Sequence, residues 1–346
     1  MSPRWLVLAA ALTIGAGGVA AGLPEQVLVG GLELEAEWSA TGVPGSPLDH
    51  PMGIAVDSRG RVLVADGSAR IVVYDAGGTP IARWGLPQGT RPVGLASRPD
   101  GSLLVTDYTG DRVLVLDAAG MVIDSWGERG TEPGQFEAPS GVAVTPAGHV
   151  IVVEFMGQRV QELDGDGNFV RFLEGGTAAR AHVEQRRAGP GMDEMMLDMS
   201  GTPPPGNPDG LFVFPTDAAV GPDGTIYISN THAYEILVFA PGGALRAGWG
   251  SKGPEAGQWE VPVGVGTDAH GDLYVADSAN FRVQGLNPRG DAFLVSRADE
   301  RWYRTTRRIY SPADVALDSA GRLYVVDFAG SRIQRFRVQR PAGPAS

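Results

Sequence analysis

The amino-acid sequence predicts an all-β protein folded as a six-bladed β-propeller, and three observations carry that expectation. First, one pattern occurs six times: Pro-x-Gly or Pro-x-Asp, a short apolar strand, a glycine turn, a second apolar strand ending in an acid or Asn, a polar loop, Arg and a third strand. Second, the copies open at Pro51, Pro92, Pro139, Pro215, Pro262 and Pro312, hence 41, 47, 76, 47 and 50 residues apart, and every interval but the third has the length of a propeller blade. Third, strand two of the first copy, Val62-Leu63-Val64-Ala65, is apolar on both faces, which suits a sheet sandwiched between neighbouring sheets.

In chain order, the first element is an N-terminal address. Arg4, the apolar stretch from Leu6 to Ile14 and the small residues Val19-Ala20-Ala21 form the three regions of a secretory signal, so residues 1–21 are expected to be a signal peptide. The uncharged run from Trp5 to Leu23 is also just long enough to cross a bilayer, which leaves an uncleaved membrane anchor as the alternative. Either one places the body in a periplasmic or extracellular space. The chain has no cysteine, so that body must hold together by burial alone, and thiolate catalysis and Cys-type zinc sites are excluded. A formal net charge of −12 disfavours nucleic acid and anionic lipid as partners and leaves membrane contact to the anchor.

The propeller is expected over residues 22–339, followed by a tail at 340–346. The 50 Gly and 26 Pro of the whole chain would suggest low complexity if they were aperiodic, but they recur with the repeat. Ser58-Arg59-Gly60 and Gly77-Gly78 supply turn residues that tolerate positive φ. Strand one is built from small residues (Gly53 and Ala55, Gly94 and Ala96, Gly141 and Ala143, Gly264 and Gly266), as expected of strands converging on a narrow axis. Strand four ends in Trp-Gly at Trp84, Trp126 and Trp249, but the sixth copy stops after its third strand, Arg335-Phe336-Arg337-Val338. Leu34-Glu35-Ala36-Glu37-Trp38 is its missing counterpart, so an N-terminal strand within residues 32–40 is expected to close the last blade.

The segments VADSANFRVQ (Val275 to Gln284) and VVDFAGSRIQ (Val325 to Gln334), with the Trp-Gly strands, resemble the NHL repeat, and the resemblance runs over roughly residues 32–338. Among six-bladed NHL-like propellers, the peptide α-amidating lyases bind catalytic zinc through histidines just after the Pro of strand one. Here those slots hold Met52, Val93, Ser140, Thr216, Val263 and Ala313, none a zinc ligand, and His50, His149, His182, His232 and His270 do not repeat that spacing. The same family places a calcium-binding Asp one residue further on. Asp217 and Asp314 occupy that slot, so the resemblance implies a possible Ca²⁺ site at the axis; the alternative is an Asp that caps strand backbone or meets solvent.

Acid and arginine recur together as Asp66/Arg70, Asp107/Arg112, Glu154/Arg159, Asp277/Arg282 and Asp327/Arg332, which reads as a structural pair tying the loop between strands two and three. The fourth copy changes both members, to Asn230 and Glu235, and Asn can donate to the new acid. The same loops open on the mouth of the ring. There Tyr108, Phe155, Met156, His232, Tyr234, Phe281 and Phe328 form a candidate binding rim, with packing between blades as the alternative for several of the rings. No Gly-x-Ser-x-Gly elbow and no phosphate-binding loop is present.

The repeat is broken twice. Near residues 175–210, between blades three and four, a helix-compatible stretch from Ala178 to Arg187 precedes Met192, Met195, Met196 and Met199, spaced as one helical face. That stripe could pack on the ring as a lid, dock a partner, or bind Cu(I) through thioethers. Between blades five and six, Arg297, Arg301, Trp302, Tyr303, Arg304, Arg307, Arg308 and Tyr310 form a basic, aromatic segment, either a long fourth strand with internal ion pairs or a recognition element for an anionic partner or glycan. The leading expectation is therefore an exported, non-catalytic propeller that binds a protein or an anionic or glycan ligand. The alternative is a metal-dependent lyase or hydrolase with Asp217 and Asp314 at the axis and Tyr108 or His232 as acid/base.

Overall fold

Turns at the two ends of each repeat fold it back on itself, and six four-stranded antiparallel sheets result. The structure is a computed structural model that describes residues 31–39, 48–188, 205–296 and 309–339. Blade one holds β2 (Ile54–Val56), β3 (Val62–Asp66), β4 (Arg70–Tyr74) and β5 (Pro80–Gly85); blade two holds β6 (Pro92–Ser97), β7 (Leu103–Asp107), β8 (Arg112–Leu116) and β9 (Val122–Trp126). Blade three holds β10 (Pro139–Val144), β11 (Val150–Glu154), β12 (Arg159–Leu163) and β13 (Phe169–Phe172), and helix α1 (Thr177–Ala188) follows it. Blade four holds β14 (Ala218–Val220), β15 (Ile226–Asn230), β16 (Glu235–Phe239) and β17 (Leu245–Trp249); blade five holds β18 (Pro262–Thr267), β19 (Leu273–Asp277), β20 (Arg282–Leu286) and β21 (Ala292–Val295). Blade six takes three strands from the C-terminal end, β22 (Pro312–Leu317), β23 (Arg322–Asp327) and β24 (Arg332–Gln339). Its fourth is β1 (Gly31–Ser39), antiparallel to β24 with Trp38 opposite Ile333.

Burial explains the arrangement. Strand two is buried along its length in blades one to five and from Leu323 onward in blade six, and the apolar clusters lie between blades, each drawing on two neighbouring sheets. A Trp at the end of an outer strand covers the turn of the next blade, and only glycine fits beneath it. A Cβ at Gly78 would lie 2.0 Å from Trp38, one at Gly120 2.0 Å from Trp84 and one at Gly167 2.4 Å from Trp126. These glycines also have φ of +91°, +88° and +87°, which other residues resist. Helix α1 joins the same scheme: Ala179 and Val183 are buried among Leu173, Leu211, Phe212 and Leu245, in the cluster between blades three and four.

Candidate functional site

The inner strands approach so closely at the axis that side chains are excluded from most of it. A Cβ at Gly53 would lie 2.0 Å from the Val93 carbonyl oxygen, and one at Gly94 2.4 Å from that of Ser140. At Gly141 and Gly264 it would meet the Cα atoms of Asp217 and Asp314, at 2.5 and 2.3 Å. Blades four and six thus carry Asp where the others require Gly. Each Asp bridges to the following blade: Val265 N–H donates to Asp217 Oδ2 at 2.9 Å, and Ile54 N–H donates to Asp314 Oδ2 at 2.8 Å. Asp314 Oδ1 also accepts from Val315 N–H at 2.7 Å.

The two carboxyls meet and share a hydrogen bond. Burial pushes Asp217 up to about 7, and burial together with the negative charge of Asp217 pushes Asp314 well above the usual carboxylate range. Around neutral pH the pair therefore retains a proton, with Asp314 as donor and Asp217 as acceptor. The pair lines an axial cavity with about 410 Å³ of empty space, its solvent mouth included, whose remaining walls are Met52, Val93, Ser140, Thr216, Val263, Ala313 and glycines. No cationic side chain is among them. The Thr216 hydroxyl is already engaged by Ser229, Thr231 and the Val263 carbonyl. Two carboxyls that hold backbone N–H groups and one proton are a poor donor set for Ca²⁺, which takes six to eight oxygens. Among the described residues, no three His, Cys, Asp or Glu side chains converge on a point. The geometry thus shows Asp217 and Asp314 capping the strand backbone of the following blade.

At the mouth, the predicted rim divides. Tyr108 and Phe155 are buried, at 1% and 0% exposure, in an apolar cluster with Met52, Ala138, Val213, Phe214 and Ala233. They are therefore not contact residues of an open rim, because side chains from the neighbouring blades, Met52, Val213 and Phe214 among them, pack over the rings. Met156, His232, Tyr234, Phe281 and Phe328 remain half-buried at the surface. Sequence reasoning missed Phe214, which precedes Pro215 in a left-handed conformation (φ 46°) and sets its ring 5.2 Å from Phe155 and 5.1 Å from His232. Burial holds His232 below the usual histidine range, and its Nε2 has no hydrogen-bond partner among the described residues. Lys252 Nζ lies 4.9 Å from the Tyr234 ring centre.

The repeated acids behave as structural ties. Arg70, Arg112, Arg159, Arg282 and Arg332 reach Asp66, Asp107, Glu154, Asp277 and Asp327 at 3.2, 3.0, 2.7, 3.0 and 3.0 Å. The same acids accept N–H groups from the segments that lead into their blades, as Glu137 N–H to Glu154 and Ser311 N–H to Asp327 show. In blades three and five the arginine also donates to carbonyls of that segment, Gln135 and Gln258 among them.

Blade four obtains the missing cation from α1. Arg186 donates to Glu235 at 2.7 Å and to the carbonyls of Leu211 and Gly210, while His182 Nε2 lies 2.8 Å from the second Glu235 oxygen and Asn230 donates to the first. Burial opposes ionisation of Glu235, yet the His182 hydrogen bond and the Arg186 charge outweigh it and hold the carboxyl below its ordinary range. The loss of Arg from the repeat beside an Arg-bearing insertion was the signal for this tie.

Met192, Met195, Met196, Met199, Arg301, Trp302, Arg304 and Arg307 lie outside the described residues, as does the N-terminal segment. Tyr310, the last residue of the basic segment, is 44% exposed and sits 5.1 Å beneath the Arg332 guanidinium.

Comparisons with known proteins agree with this architecture. The family model described as NHL repeat matches residues 261–286 and 310–336, the inner three strands of blades five and six. In structure the chain is similar to virginiamycin B lyase from Staphylococcus aureus, at 15% identity over 91% of this chain and 90% of that one, with a TM-score of 0.56. It is also similar to a gluconolactonase from Xanthomonas campestris (15% identity, 84% and 86%, TM-score 0.57) and to a chain of a nidogen/laminin complex (15%, 72% and 80%, TM-score 0.52). At these identities the likeness shows the fold alone. With six such sheets closed into a ring and family matches in two of them, the chain is an NHL-type six-bladed β-propeller.

Proposed function

We propose that this propeller is an exported, non-catalytic binding module that takes a protein or an anionic or glycan ligand on its mouth face. The observation that carries the reading is the half-buried set Met156, His232 and Phe328 packed on a floor filled by Phe155 and Phe214, with Tyr234 and Phe281 half-buried on the matching loops of blades four and five. Half-buried rings and a thioether on a rigid floor offer apolar contact area at little cost in ordering. The Met stripe at 192–199 and the Arg/aromatic segment at 301–307 would add specificity, since both interrupt the repeat in connections between blades. Export rests on the N-terminal signal pattern. The test is retention of a partner from the extracellular fraction on the immobilised full chain. His232→Ala with Phe281→Ala should abolish retention, whereas Asp217→Asn should leave it intact; retention indifferent to the mouth variants would overturn the reading.

A second reading is favoured by one observation, the hydrogen-bonded Asp217–Asp314 pair beside a cavity. A carboxyl that keeps its proton next to one that accepts is an acid/base couple at neutral pH. Turnover of gluconolactone or virginiamycin B by the purified chain, lost in Asp217→Asn, would replace the binding reading by this one.

A further inference from the structure

Every blade interrupts its outer strand at the same place. One residue is skipped in the pairing with strand three, and in blades one to six it is Ile81, Ile123, Val170, Arg246, Phe293 and Glu35. An outer strand has no neighbour on its far side, so this bulged residue is what the perimeter of the ring presents. Blades one to three present aliphatic side chains that are 53%, 61% and 43% exposed, and Met121 beside Ile123 is 66% exposed. The other blades occupy theirs: Arg246 donates to Thr225, Phe293 packs edge-on against Tyr274, and Glu35 pairs with Arg335 and Arg337.

Charge divides the ring along the same line. Six residues before each exposed aliphatic side chain, in the turn that opens the outer strand, stand Asp75, Asp117 and Asp164; blades four and five have Ala240 and Asn287 in that slot. These carboxylates are fixed in place by turn N–H groups, from Thr79, Met121 and Asn168 at 2.8, 2.9 and 2.9 Å. Asp124 and Asp166 add to them; of the bases on or touching these turns and outer strands, Arg171, Arg61 and Arg335 are paired with Glu162, Asp57 and Glu35, so Arg83 and Arg98 stand against five carboxylates. Half of the perimeter is therefore both aliphatic and anionic, at the end of the blades away from the mouth.

A second copy of this acidic chain, or an anionic bilayer, would meet that surface with like charge. We propose that the outer rim of blades one to three docks a cationic amphipathic segment of a partner polypeptide, its aliphatic side chains set against Ile81, Ile123 and Val170 and its basic ones against Asp75, Asp117 and Asp164. This surface is separate from the mouth face and stands whether or not the mouth binds a ligand.

The test titrates the full chain with a fluorescent peptide of alternating Lys and Leu at physiological salt, with a Glu/Leu peptide as control. Saturable binding of the Lys/Leu peptide alone is expected. The triple variant Ile81→Ser, Ile123→Ser, Val170→Ser keeps every charge and should weaken binding about tenfold or more, while its melting temperature stays within about 2 °C of the parent. Arg246→Ser, at the equivalent place in blade four, should change nothing. Binding that survives the triple variant is unspecific charge attraction and overturns the proposal. Absence of saturable binding overturns it too, as does self-association of the parent, or its binding to phosphatidylglycerol vesicles, when the triple variant relieves it.

Discussion

Asp314→Asn removes the proton donor of the axial pair; the Asn oxygen can still accept from Ile54 N–H and its amide can donate to Asp217, while the bond that Asp314 accepts from Val315 N–H is lost at a cost that does not change with pH. In the unfolded chain Asp ionises near 3.8, whereas the ring pushes Asp217 up to about 7 and Asp314 well above the usual carboxylate range. Between those limits the folded state binds more protons than the unfolded one. The pair's contribution is thus fully present in acid and is lost as pH rises through the folded values. Each pH unit over which the ring keeps a proton that the unfolded chain has lost removes about 1.4 kcal/mol. A gain of at least about 1.4 kcal/mol, the equivalent of one such unit, is expected for the variant relative to the parent. Urea unfolding of parent and variant, followed by tryptophan fluorescence at pH 5 and pH 8, measures it. The stability of the variant relative to the parent should increase by that amount between the two pH values. A constant difference, or a variant that loses ground at pH 8, would refute the proton-sharing pair.

Gly120→Ala drives a methyl into Trp84 at a positive φ and should cost about 2–4 kcal/mol. Gly60→Ala, with a similar φ and open space, should cost only about 1 kcal/mol, and thermal unfolding of both variants separates collision from backbone strain. Arg186→Ala leaves Glu235 buried without its main cation and should cost about 3–5 kcal/mol, part of which returns when Glu235→Gln is added, as a double-mutant cycle would register. Trp38→Ala empties the seam between blades six and one, where the ring closes, and should cost about 3–5 kcal/mol by urea unfolding. His232 is held neutral by burial, so its contribution to stability is present above its unfolded value of 6.5 and lost as pH falls toward the lower folded value. An NMR titration midpoint at or above 6.5 would contradict that.

The ring itself was legible because its constraints repeat. Pro, small residues at the axis and a buried second strand answer the same steric problem from blade to blade, with a Trp on the outer strand of four of the six, so weak signals add. The acid/arginine ties were legible for the same reason, and even the Asn230/Glu235 exchange could be read as compensation. Its cause could not, because Arg186 lies outside the repeat frame and reaches Glu235 only after α1 docks through Ala179 and Val183. Asp217 and Asp314 were placed at the axis by their slot, but their contact depends on how far the ring contracts, which is set by Gly141 and Gly264. Burial of Tyr108 and Phe155 was hidden for a related reason. Whether a ring on a loop faces solvent or the next blade is decided by neighbours such as Ala138, Val213 and Phe214, which belong to different blades.

Closure of blade six by β1 bears on how the chain comes to be folded. The partners of Gly31–Ser39 are Arg332–Gln339, so the first strand to leave the ribosome is among the last to be satisfied. Five blades can form in order of synthesis from local hairpins, but the final seam needs a contact across nearly the whole chain, the kind that slows folding most. Until then two unpaired edges, β1 and β24, coexist in one molecule, and the β1 edge of one chain can equally meet the β24 edge of another. Refolding yield should therefore fall with protein concentration, and strand exchange between rings is the misfolded product this architecture invites.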